Sequence, residues 1–589
     1  MTSVTAMLPI PPRFGELLRQ RVPIVQWLPT YALGDAACDV IAGITVGLTL
    51  MPQAIAYAGL AGLSPQYGLY SGWVGCLVYI VFGSTKQISL GPTALVSLLT
   101  FTYTHDLNAD MAVFLCFISG CVELLFGILH LGFLVDFVSV PVVSGFTSAA
   151  ALIIASAQLK SLFGLKYNTE AFLDTWTAFL SHIHETRPGD LILGVICIGT
   201  LLSLRTLKDF RVGNTENKEE HKVINGIIWF LSTGRNALVV LMCSIVAFLF
   251  QQNDWTPFKL TGKIEAGLPT IGFPPTSTEI NGRQLGFTEM ITELGAGVVV
   301  VPLIALISNI AIAKAFANGK RVDATQEMIA LGLCNILGSF ARSMPVAGAF
   351  SRSAVNNASG VRSPMGGLYT SVLILLALGL LTPFFFFIPR ASLAAVIMCA
   401  VLFMIDLQII KPMWTSNRRD LVPALVTFIA CLLVGVEKGL VIGVAIDVLI
   451  LLYFNARPRV SIDKVQGSPI YWVVQPHGSL LFPAVDYVWD KIVTKVKEGE
   501  PTTLVLDCSY ILHTDFTAAK GVSSMIADIK KQGVQVILLN ATDTVVHSLS
   551  STCPNLRVAN SHQHVQQILS EDPIKIESGL QLKSINNET

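Results

Sequence analysis

The 589-residue sequence predicts an all-α polytopic membrane protein with a small α/β domain at its C-terminal end. Only 13% of the residues are charged, about half the share found in soluble domains, and 52% are hydrophobic. Apolar runs long enough to cross a bilayer recur between residues 39 and 455. From Arg457 onward charged residues return at ordinary density, and this change in composition predicts a domain boundary.

These patterns predict four parts of the chain: a cytosolic N-terminal segment 1–38, a transmembrane domain 39–455, an α/β domain 456–570 and a disordered tail 571–589. The 39 basic and 39 acidic residues balance, so no bulk charge favours a nucleic-acid partner. The N-terminal segment lacks a compact apolar region that ends in small residues, so we expect no cleaved signal peptide.

Twelve apolar segments are candidate membrane helices, because about 20 apolar residues are needed to cross a bilayer. They are Val40–Leu60, Tyr67–Val81, Met111–Phe133, Val138–Leu159, Leu191–Leu204, Asn236–Phe250, Gly295–Phe316, Met328–Phe340, Gly366–Phe385, Leu393–Met404, Leu421–Val436 and Leu440–Phe454.

Two further apolar segments, Leu90–Leu98 and Ala349–Val355, are shorter and contain Gly, Pro or Ser near their start. Each follows a longer helix that contains a proline, Pro52 in the first case and Pro302 in the second. Short interrupted segments at corresponding positions of two halves indicate an inverted repeat with a site near the bilayer midplane. The sequence therefore predicts 14 segments as two sevens; two ordinary re-entrant turns are the alternative.

Basic residues near the helix ends predict the orientation of the chain. The arginines of the N-terminal segment and the pairs Arg418–Arg419 and Arg457/Arg459 favour the cytosolic side for both termini. An even number of membrane segments agrees with this topology.

The C-terminal part alternates between strand and helix patterns. Ile470–Gln475, Thr503–Leu506 and Val534–Leu539 are typical of strands, whereas Val485–Lys497 and Ala518–Lys531 have amphipathic helical spacing. Alternation of this kind predicts an α/β domain of roughly a hundred residues.

The two short segments are candidates for an anion site. A helix N-terminus offers free amide donors and an effective charge of about +0.5, so two of them meeting head to head would attract an anion. Pro92 is compatible with the first turn of its half-helix. Ser351 could cap the second half-helix or donate its hydroxyl to a bound anion, and the sequence does not choose between these roles.

Arg352 is the most informative single residue of this region. A guanidinium inside an apolar stretch costs several kcal/mol unless it is paired or hydrated, and its planar fork matches a tetrahedral oxyanion. Pairing with a structural carboxylate, or snorkelling to the interface, is the alternative. Gln53 and Tyr57 lie four residues apart on one helical face and could supply an amide donor and an aromatic wall, although such a pair taken alone more often reflects helix packing.

The remaining polar residues suggest structural roles. Glu123, Asp406, Glu437 and Asp447 could relay protons, but helix ends and structural pairing explain most such residues. Asp515 is interpreted as the N-cap of the helix over 518–531. The sequence contains no catalytic triad, glycine-rich nucleotide loop or metal-ligand cluster, so it predicts neither an enzyme nor a cofactor or metal site, and we expect transport to be driven by ion gradients.

Five ordered motifs resemble the signature of the sulfate permease (SulP) family, and within it animal sodium-independent sulfate anion transporters. They are Pro52–Ala58, Ala61–Ser71, Gly91–Thr93, Asp323–Glu327 and Phe350–Asn356. The resemblance extends over residues 28–569. It implies a seven-plus-seven repeat with core and gate domains, a homodimer in membrane lipid, and a C-terminal domain of the STAS type.

The resemblance also implies a substrate site and a substrate class. The family positions that bind substrate correspond here to Gln53, Tyr57, Thr93, Ala94, Ser351 and Arg352. Substrates of the family are small inorganic anions such as sulfate, chloride and bicarbonate, together with oxalate. The plasma membrane is the expected location, with the lysosome or another endomembrane as the alternative.

Two positions depart from the family pattern. Related sulfate transporters carry a glutamate in the eighth helix, at the coupling position where this chain has Ser308, so proton symport is disfavoured and anion exchange gains weight. Bacterial STAS relatives place a phosphorylated serine where Thr517 stands, which makes Thr517 a possible regulatory site.

The leading hypothesis is therefore sodium-independent secondary transport of sulfate and related anions, by exchange with an elevator-like movement of the core against the gate. A chloride channel or chloride/bicarbonate exchanger with little sulfate transport is the first alternative. A non-transporting membrane sensor or voltage-driven motor is the second.

Overall fold

The computed structural model places the chain in two compact units that divide between Val444 and Ala445. The described residues are 21–571, apart from 168, 170–171, 207–227, 229–230, 233, 255, 263–266, 281, 318–321, 467–469, 500–502 and 554–555. Most of the predicted segment 1–38 and nearly all of the predicted disordered tail 571–589 lie outside them.

Helices dominate the first unit, after a short helix at Ile24–Trp27. Its first half contains α1 Leu33–Leu60, α2 Pro65–Tyr70, α3 Val74–Phe82, β1 Leu90–Gly91, α4 Ala94–Thr104, α5 Ala109–Ile128, α6 Val140–Leu162, α7 Phe172–His182, α8 Pro188–Thr206 and α9 Arg235–Gln252. A small hairpin of β2 Thr278–Ile280 and β3 Arg283–Leu285 follows α9.

The second half begins directly after this hairpin. It contains α10 Phe287–Leu294, α11 Gly297–Phe316, α12 Ala324–Ser339, β4 Ala347–Gly348, α13 Phe350–Ala358, α14 Gly366–Leu376, α15 Arg390–Leu402, α16 Ile410–Ser416, α17 Leu421–Val434 and α18 Val436–Ala456. Helical structure therefore coincides with all fourteen predicted membrane segments. Within the described residues, eight helical segments are long and apolar enough to cross a membrane, and α4 and α15 are shorter apolar helices.

Two of the predicted spans are less regular than the sequence suggests. The span over 67–81 is broken between α2 and α3 by a turn at residues 71–73. A β-carbon at Gly68 would lie 1.9 Å from the Ala54 carbonyl oxygen, so α2 packs directly on the backbone of α1. At the end of α14 the chain passes through a π-helical turn, Ala377–Leu381, into a 3₁₀ segment, Thr382–Phe387, where Pro383 cannot donate a hydrogen bond.

The helices of the first unit pack in two groups. The first group contains α1–α5 and α11–α14, and the second contains α6, α8, α9, α15 and α17. Glycines permit close approach within each group: β-carbons at Gly120 and Gly332 would lie 2.6 Å from backbone nitrogens across the α5–α12 contact, and one at Gly145 would lie 2.2 Å from the Ala424 carbonyl oxygen. Between the groups, α1 packs against α9 and α15. The grouping matches the predicted core and gate, and we call them the core group and the gate group.

A buried carboxylate anchors the start of α14 within the core group. Asp39 of α1 is 0% exposed, and it accepts hydrogen bonds from the Arg362 backbone N–H at 2.7 Å, the Ser363 backbone N–H at 3.2 Å and the Ser363 hydroxyl at 2.6 Å. These donors satisfy the carboxylate, so Asp39 joins α1 to the loop before α14.

The second unit is a five-stranded sheet covered by helices. Its elements are β5 Arg459–Val465, β6 Tyr471–His477, α19 Val485–Gly499, β7 Thr503–Asp507, α20 Phe516–Lys531, β8 Gln535–Leu539, α21 Asp543–Ser550, β9 Arg557–Ala559 and α22 His562–Glu571. The strand order is β5-β6-β7-β8-β9, with β5 and β6 antiparallel and the other neighbours parallel. The three predicted strands and two predicted helices are confirmed, whereas β5 and β9 at the sheet edges were not predicted.

Helix α20 begins at a side-chain cap. Asp515 accepts hydrogen bonds from the Ala518 backbone N–H at 2.8 Å and from the Phe482 backbone N–H at 2.8 Å. The predicted N-cap is therefore confirmed, and the same carboxylate also holds the loop that precedes α19. Thr517 lies in the first turn of α20 and is exposed.

We expect Asp515→Ala to weaken the first turn of α20 by roughly 0.5–2 kcal/mol, because the cap and the contact to Phe482 are lost together. Hydrogen–deuterium exchange of the full-length protein should show faster exchange in residues 516–520. Asp528→Ala is the matched control, since Asp528 lies on the same helix and makes an exposed pair with Lys531. Equal exchange in both variants would contradict the capping role.

Candidate functional site

Two extended dipeptides cross at the centre of the core group. Strands β1 and β4 pair in antiparallel register, with Leu90 opposite Gly348 and Gly91 opposite Ala347. A further hydrogen bond joins the Ala349 N–H to the Ser89 carbonyl oxygen at 3.1 Å. Because the strands run in opposite directions, the helices that follow them, α4 and α13, leave the crossing in opposite directions with their N-termini toward it.

The two half-helices are short, as predicted, but each ends beyond its predicted segment. Helix α4 has 11 residues and α13 has 9 residues. At 1.5 Å per residue they span roughly 16 and 14 Å, about half of a 30 Å hydrocarbon layer. Their N-termini therefore lie deep in the membrane when their other ends reach its surfaces.

Thr93, and not Pro92, sets the start of α4. The Thr93 hydroxyl accepts a hydrogen bond from the Val96 backbone N–H at 3.4 Å, and Ala94 is the buried first helical residue. The expectation that Pro92 occupies the first turn is wrong, because Pro92 precedes the N-cap. That position leaves its carbonyl oxygen outside the helix and free to accept a hydrogen bond from another element.

The backbone at the start of α13 excludes Ser351 as its N-cap. The N-cap position is Ala349, which offers no side-chain acceptor, and Ser351 is the second residue within the helix. Because Ser351 lies inside the helix, its hydroxyl does not cap α13, and the residue is exposed. Ser353, two residues further along the helix, accepts a hydrogen bond from the Ser89 N–H at 3.1 Å and joins α13 to the start of β1.

Arg352 lies at the crossing and is 1% exposed. Its Nη1 donates to the Pro92 carbonyl oxygen at 2.8 Å and to Gln53 Oε1 at 3.4 Å. Its Nε and Nη2 are buried and have no hydrogen-bond partner. Within the described ranges no carboxylate lies in salt-bridge distance of the guanidinium, which argues against pairing with a structural carboxylate. The burial of Arg352 argues against snorkelling to the interface.

Gln53 and Tyr57 bring α1 to the same place. They are 3% and 4% exposed, and the Gln53 side chain contacts Arg352 directly. Hydrogen bonds thus connect Arg352 to Gln53 and to Pro92, the residue before Thr93. Tyr57 lies one helical turn after Gln53, and Ser351 directly precedes Arg352. The predicted positions converge on one place in the core group.

Gly91 is required for this arrangement. Its φ of +147° is readily adopted only by glycine, and a β-carbon there would lie 3.2 Å from Arg352 Nη2 and 3.3 Å from Leu50 Cδ1. The backbone of β1 therefore approaches the guanidinium as closely as a residue without a side chain permits.

Ser308 lies on α11 and is partly buried, next to a polar network that the sequence did not reveal. The neighbouring Asn309 donates from Nδ2 to Glu327 Oε2 at 2.9 Å. Glu327 also accepts from the Tyr79 hydroxyl at 2.9 Å and from the Ser84 hydroxyl at 2.5 Å. The motif over 323–327 contained Glu327, but its partners are distant in sequence and no spacing could predict them.

The other acidic candidates have structural surroundings. Glu123 is 0% exposed and accepts from Asn335 Nδ2 at 2.8 Å. Asp406 accepts from the Ile409 backbone N–H at 3.3 Å, as expected of a residue at a helix end. Asp447 is partly buried in α18, and the side chain of Glu437 lies outside the described part of the chain.

Membrane-length helices, two half-helices and a buried cation at their meeting point define a polytopic membrane transport protein with a C-terminal α/β domain. The chain belongs to the sulfate permease family, whose model matches residues 37–427, more than half of its length. A STAS domain model matches residues 461–561. The predicted family and the predicted C-terminal domain type are both confirmed.

Curated relatives align with most of this chain. The sodium-independent sulfate anion transporter of Bos taurus is 43% identical over 541 residues, which are 91% of this chain and 89% of that protein. The chloroplastic sulfate transporter 4.1 of Arabidopsis thaliana is 29% identical over 561 residues, which are 89% of this chain and 78% of that protein.

Solved structures share the fold. The murine solute carrier 26 family member A9 anion transporter in its inward-facing state matches with a TM-score of 0.82 at 20% identity, over 97% of each chain. The transmembrane domain of the cyanobacterial bicarbonate transporter BicA matches with a TM-score of 0.56 at 18% identity, over 71% of this chain and 98% of that one.

We expect Gly91→Ala to destabilise the protein by roughly 1–3 kcal/mol, because alanine is strained at this φ and its methyl group would displace Arg352 or Leu50. Thermal unfolding in lipid nanodiscs should show a lower midpoint. Gly199→Ala in α8 is the control, since no atom lies within 4 Å of its added β-carbon and no positive φ is involved. An unchanged midpoint for Gly91→Ala would show that β1 tolerates a side chain.

Proposed function

We propose that the protein is a sodium-independent secondary transporter that moves sulfate and related small anions across a membrane by exchange. The observation that carries this proposal is the Arg352 guanidinium, buried between two half-helix N-termini with two N–H-bearing nitrogens that lack a partner. The names of the curated relatives, which describe sulfate transporters, support sulfate as a substrate.

The chemistry of the proposed site suits an oxyanion. Arg352 would donate from Nε and Nη2, two donors in the fork geometry that matches a tetrahedral anion. The free N–H groups at the starts of α4 and α13 would add donors and positive potential from opposite sides. Gln53, Tyr57, Thr93, Ala94 and Ser351 would complete the wall of the site.

The lack of a free carboxylate at the coupling position favours exchange over proton symport. Ser308 stands at the coupling position that carries a glutamate in related transporters. Glu327 does not replace that carboxylate in the proposed mechanism, because it already accepts from Tyr79, Ser84 and Asn309. With no free carboxylate at this position, a second anion is the simplest coupling ion.

The division into two helix groups supports an elevator-like movement. Arg352, β1, β4 and both half-helices belong to the core group, so the proposed site would travel with that group past the gate group. We further propose a homodimer with both termini in the cytosol, located in the plasma membrane or, alternatively, in the lysosome or another endomembrane. Phosphorylation of the exposed Thr517 would be one route of regulation.

We expect Arg352→Gln to lower sulfate uptake into proteoliposomes by at least about tenfold, because a charge-assisted contact worth roughly 1.5–3 kcal/mol would be lost. The assay is uptake of labelled sulfate against preloaded chloride, sulfate or oxalate. Arg283→Gln is the control, since Arg283 lies on the exposed hairpin and pairs with Glu289 at 3.4 Å. Normal uptake by Arg352→Gln would refute the proposed site. Chloride flux that sulfate does not inhibit would instead favour a chloride channel or chloride/bicarbonate exchanger.

We expect Ser308→Glu to make sulfate uptake depend on an inward proton gradient, because it restores a titratable carboxylate at the coupling position. Uptake should be compared at equal and unequal pH across the membrane, with Ser308→Gln as the uncharged control of similar size. A parent protein that already needs a proton gradient would contradict exchange, and a pH-independent Ser308→Glu variant would contradict the coupling role of this position.

A further inference from the structure

The loop that joins the gate helix α9 to the hairpin before α10 contains an unusual stretch, residues 267–278, which we call the strap. It contains no charged residue and has three prolines, Pro269, Pro274 and Pro275. Three of its apolar side chains are largely exposed in the chain: Leu268 at 63%, Ile271 at 77% and Phe273 at 69%. Exposed apolar side chains this close together indicate a surface with a partner.

Polar contacts fix the level of the strap at its end. Thr278 accepts from Asn108 Nδ2 at 2.6 Å and donates to Asp110 Oδ2 at 3.4 Å. Asp110, in the first turn of α5, also pairs with Arg342. This group of charged and polar side chains marks the membrane–water boundary at the start of α5.

The middle of the strap lies below that level. The Phe273 ring lies 5.4 Å from the ring of Phe340 and 6.1 Å from the ring of Phe117. Phe117 is seven residues beyond Asp110 on α5, which corresponds to roughly 10 Å along the helix axis. Phe340, the other neighbour of Phe273, lies at the end of α12, two residues before Arg342. Phe273 therefore lies between the polar boundary and the level of Phe117.

The backbone of the strap fits a shallow position close to this boundary. An irregular segment deep in hydrocarbon must satisfy all of its N–H groups, and three prolines lower the number that need a partner. The Gly272 N–H donates to the Phe340 carbonyl oxygen at 3.0 Å. Pro269 and Pro274 are buried against the protein, whereas Leu268 and Ile271 are exposed, and Phe273 is largely exposed although its ring lies beside Phe340. Leu337, which precedes Phe340 by three residues and so lies on the same face of α12, is also exposed at 44%.

We propose that the strap is a shallow re-entrant segment whose exposed side chains, Leu268, Ile271 and Phe273, contact the acyl chains of bilayer lipid. The lack of charge, the position below Asp110 and the continuity with the apolar surface of α12 all favour lipid over water. The strap also connects the two helix groups, since Thr261 before it donates to the Ile388 carbonyl oxygen at the start of α15, and Phe273 packs on α5 and α12. The lipid contact would therefore be made by the segment that crosses from gate group to core group.

Tryptophan fluorescence tests this inference without requiring transport. Ile271→Trp and Phe273→Trp are compared with the parent protein in nanodiscs, and the parent emission is subtracted to isolate the added tryptophan. The quenchers are phosphatidylcholine brominated near the upper part of its acyl chains and, from the water side, acrylamide. Gln284→Trp, on the exposed face of the hairpin that follows the strap, is the matched control.

The strap variants should show blue-shifted added emission, lose most of it to the brominated lipid and respond little to acrylamide, with the reverse for Gln284→Trp. Quenching by acrylamide to the extent seen for Gln284→Trp would overturn the inference, because the strap would then face water. Protection from both quenchers would also overturn it, because protein, such as a second copy of the chain, would then cover the strap. Phe273→Trp keeps an aromatic ring beside Phe340, so it retains the test if Ile271→Trp fails to fold.

Discussion

The guanidinium of Arg352 is held at the crossing of β1 and β4 by the carbonyl oxygen of Pro92, 2.8 Å from Nη1. A buried cation within a membrane is unfavourable unless an opposite charge compensates it. The N-terminal ends of α4 and α13 carry partial positive charge toward the same place, so they increase the uncompensated positive charge. Among the described residues no carboxylate balances this charge, and a bound anion would balance it.

Two buried carboxylates of the core group have several hydrogen-bond donors each. Asp39 accepts from three donors, and Glu327 accepts from Tyr79, Ser84 and Asn309. Both carboxylates are buried, and both bind elements of the core group to one another. Arg352 differs because two of its nitrogens lack partners in the same rigid surroundings. Other buried polar atoms of this unit, such as Glu123 Oε1, also lack partners, but Arg352 is the charged group that lies where the two half-helices begin. Unsatisfied donors on a charged group at such a point are expected of a functional site.

Much of this arrangement could be predicted from the sequence, because it depends on local patterns. Apolar length predicts the helices, and the short interrupted segments predict α4, α13 and the convergence on Arg352. The capping details could not be predicted, because the shift of one residue that places Pro92 before the N-cap and Ser351 inside the helix depends on the backbone conformation of single residues. The hydrogen-bond network of Glu327 could not be predicted either, because Tyr79 lies 248 residues away in the chain. The edge strands β5 and β9 escaped prediction because edge pairing leaves a weak hydrophobic pattern.

The electrostatics of the proposed site bear on how transport would be coupled. If the core group moves past the gate group with the site empty, it carries one arginine charge and two helix N-termini through the apolar layer without compensation. With an anion bound, most of that charge is balanced, so the loaded form is the one that moves readily. An exchanger needs only this difference, because each transit then requires an anion in one direction or the other. A proton symporter needs in addition a carboxylate that loads and unloads with the substrate. Ser308 supplies none, and Glu327 could take up a proton only by giving up hydrogen bonds that hold α3, α11 and α12 together.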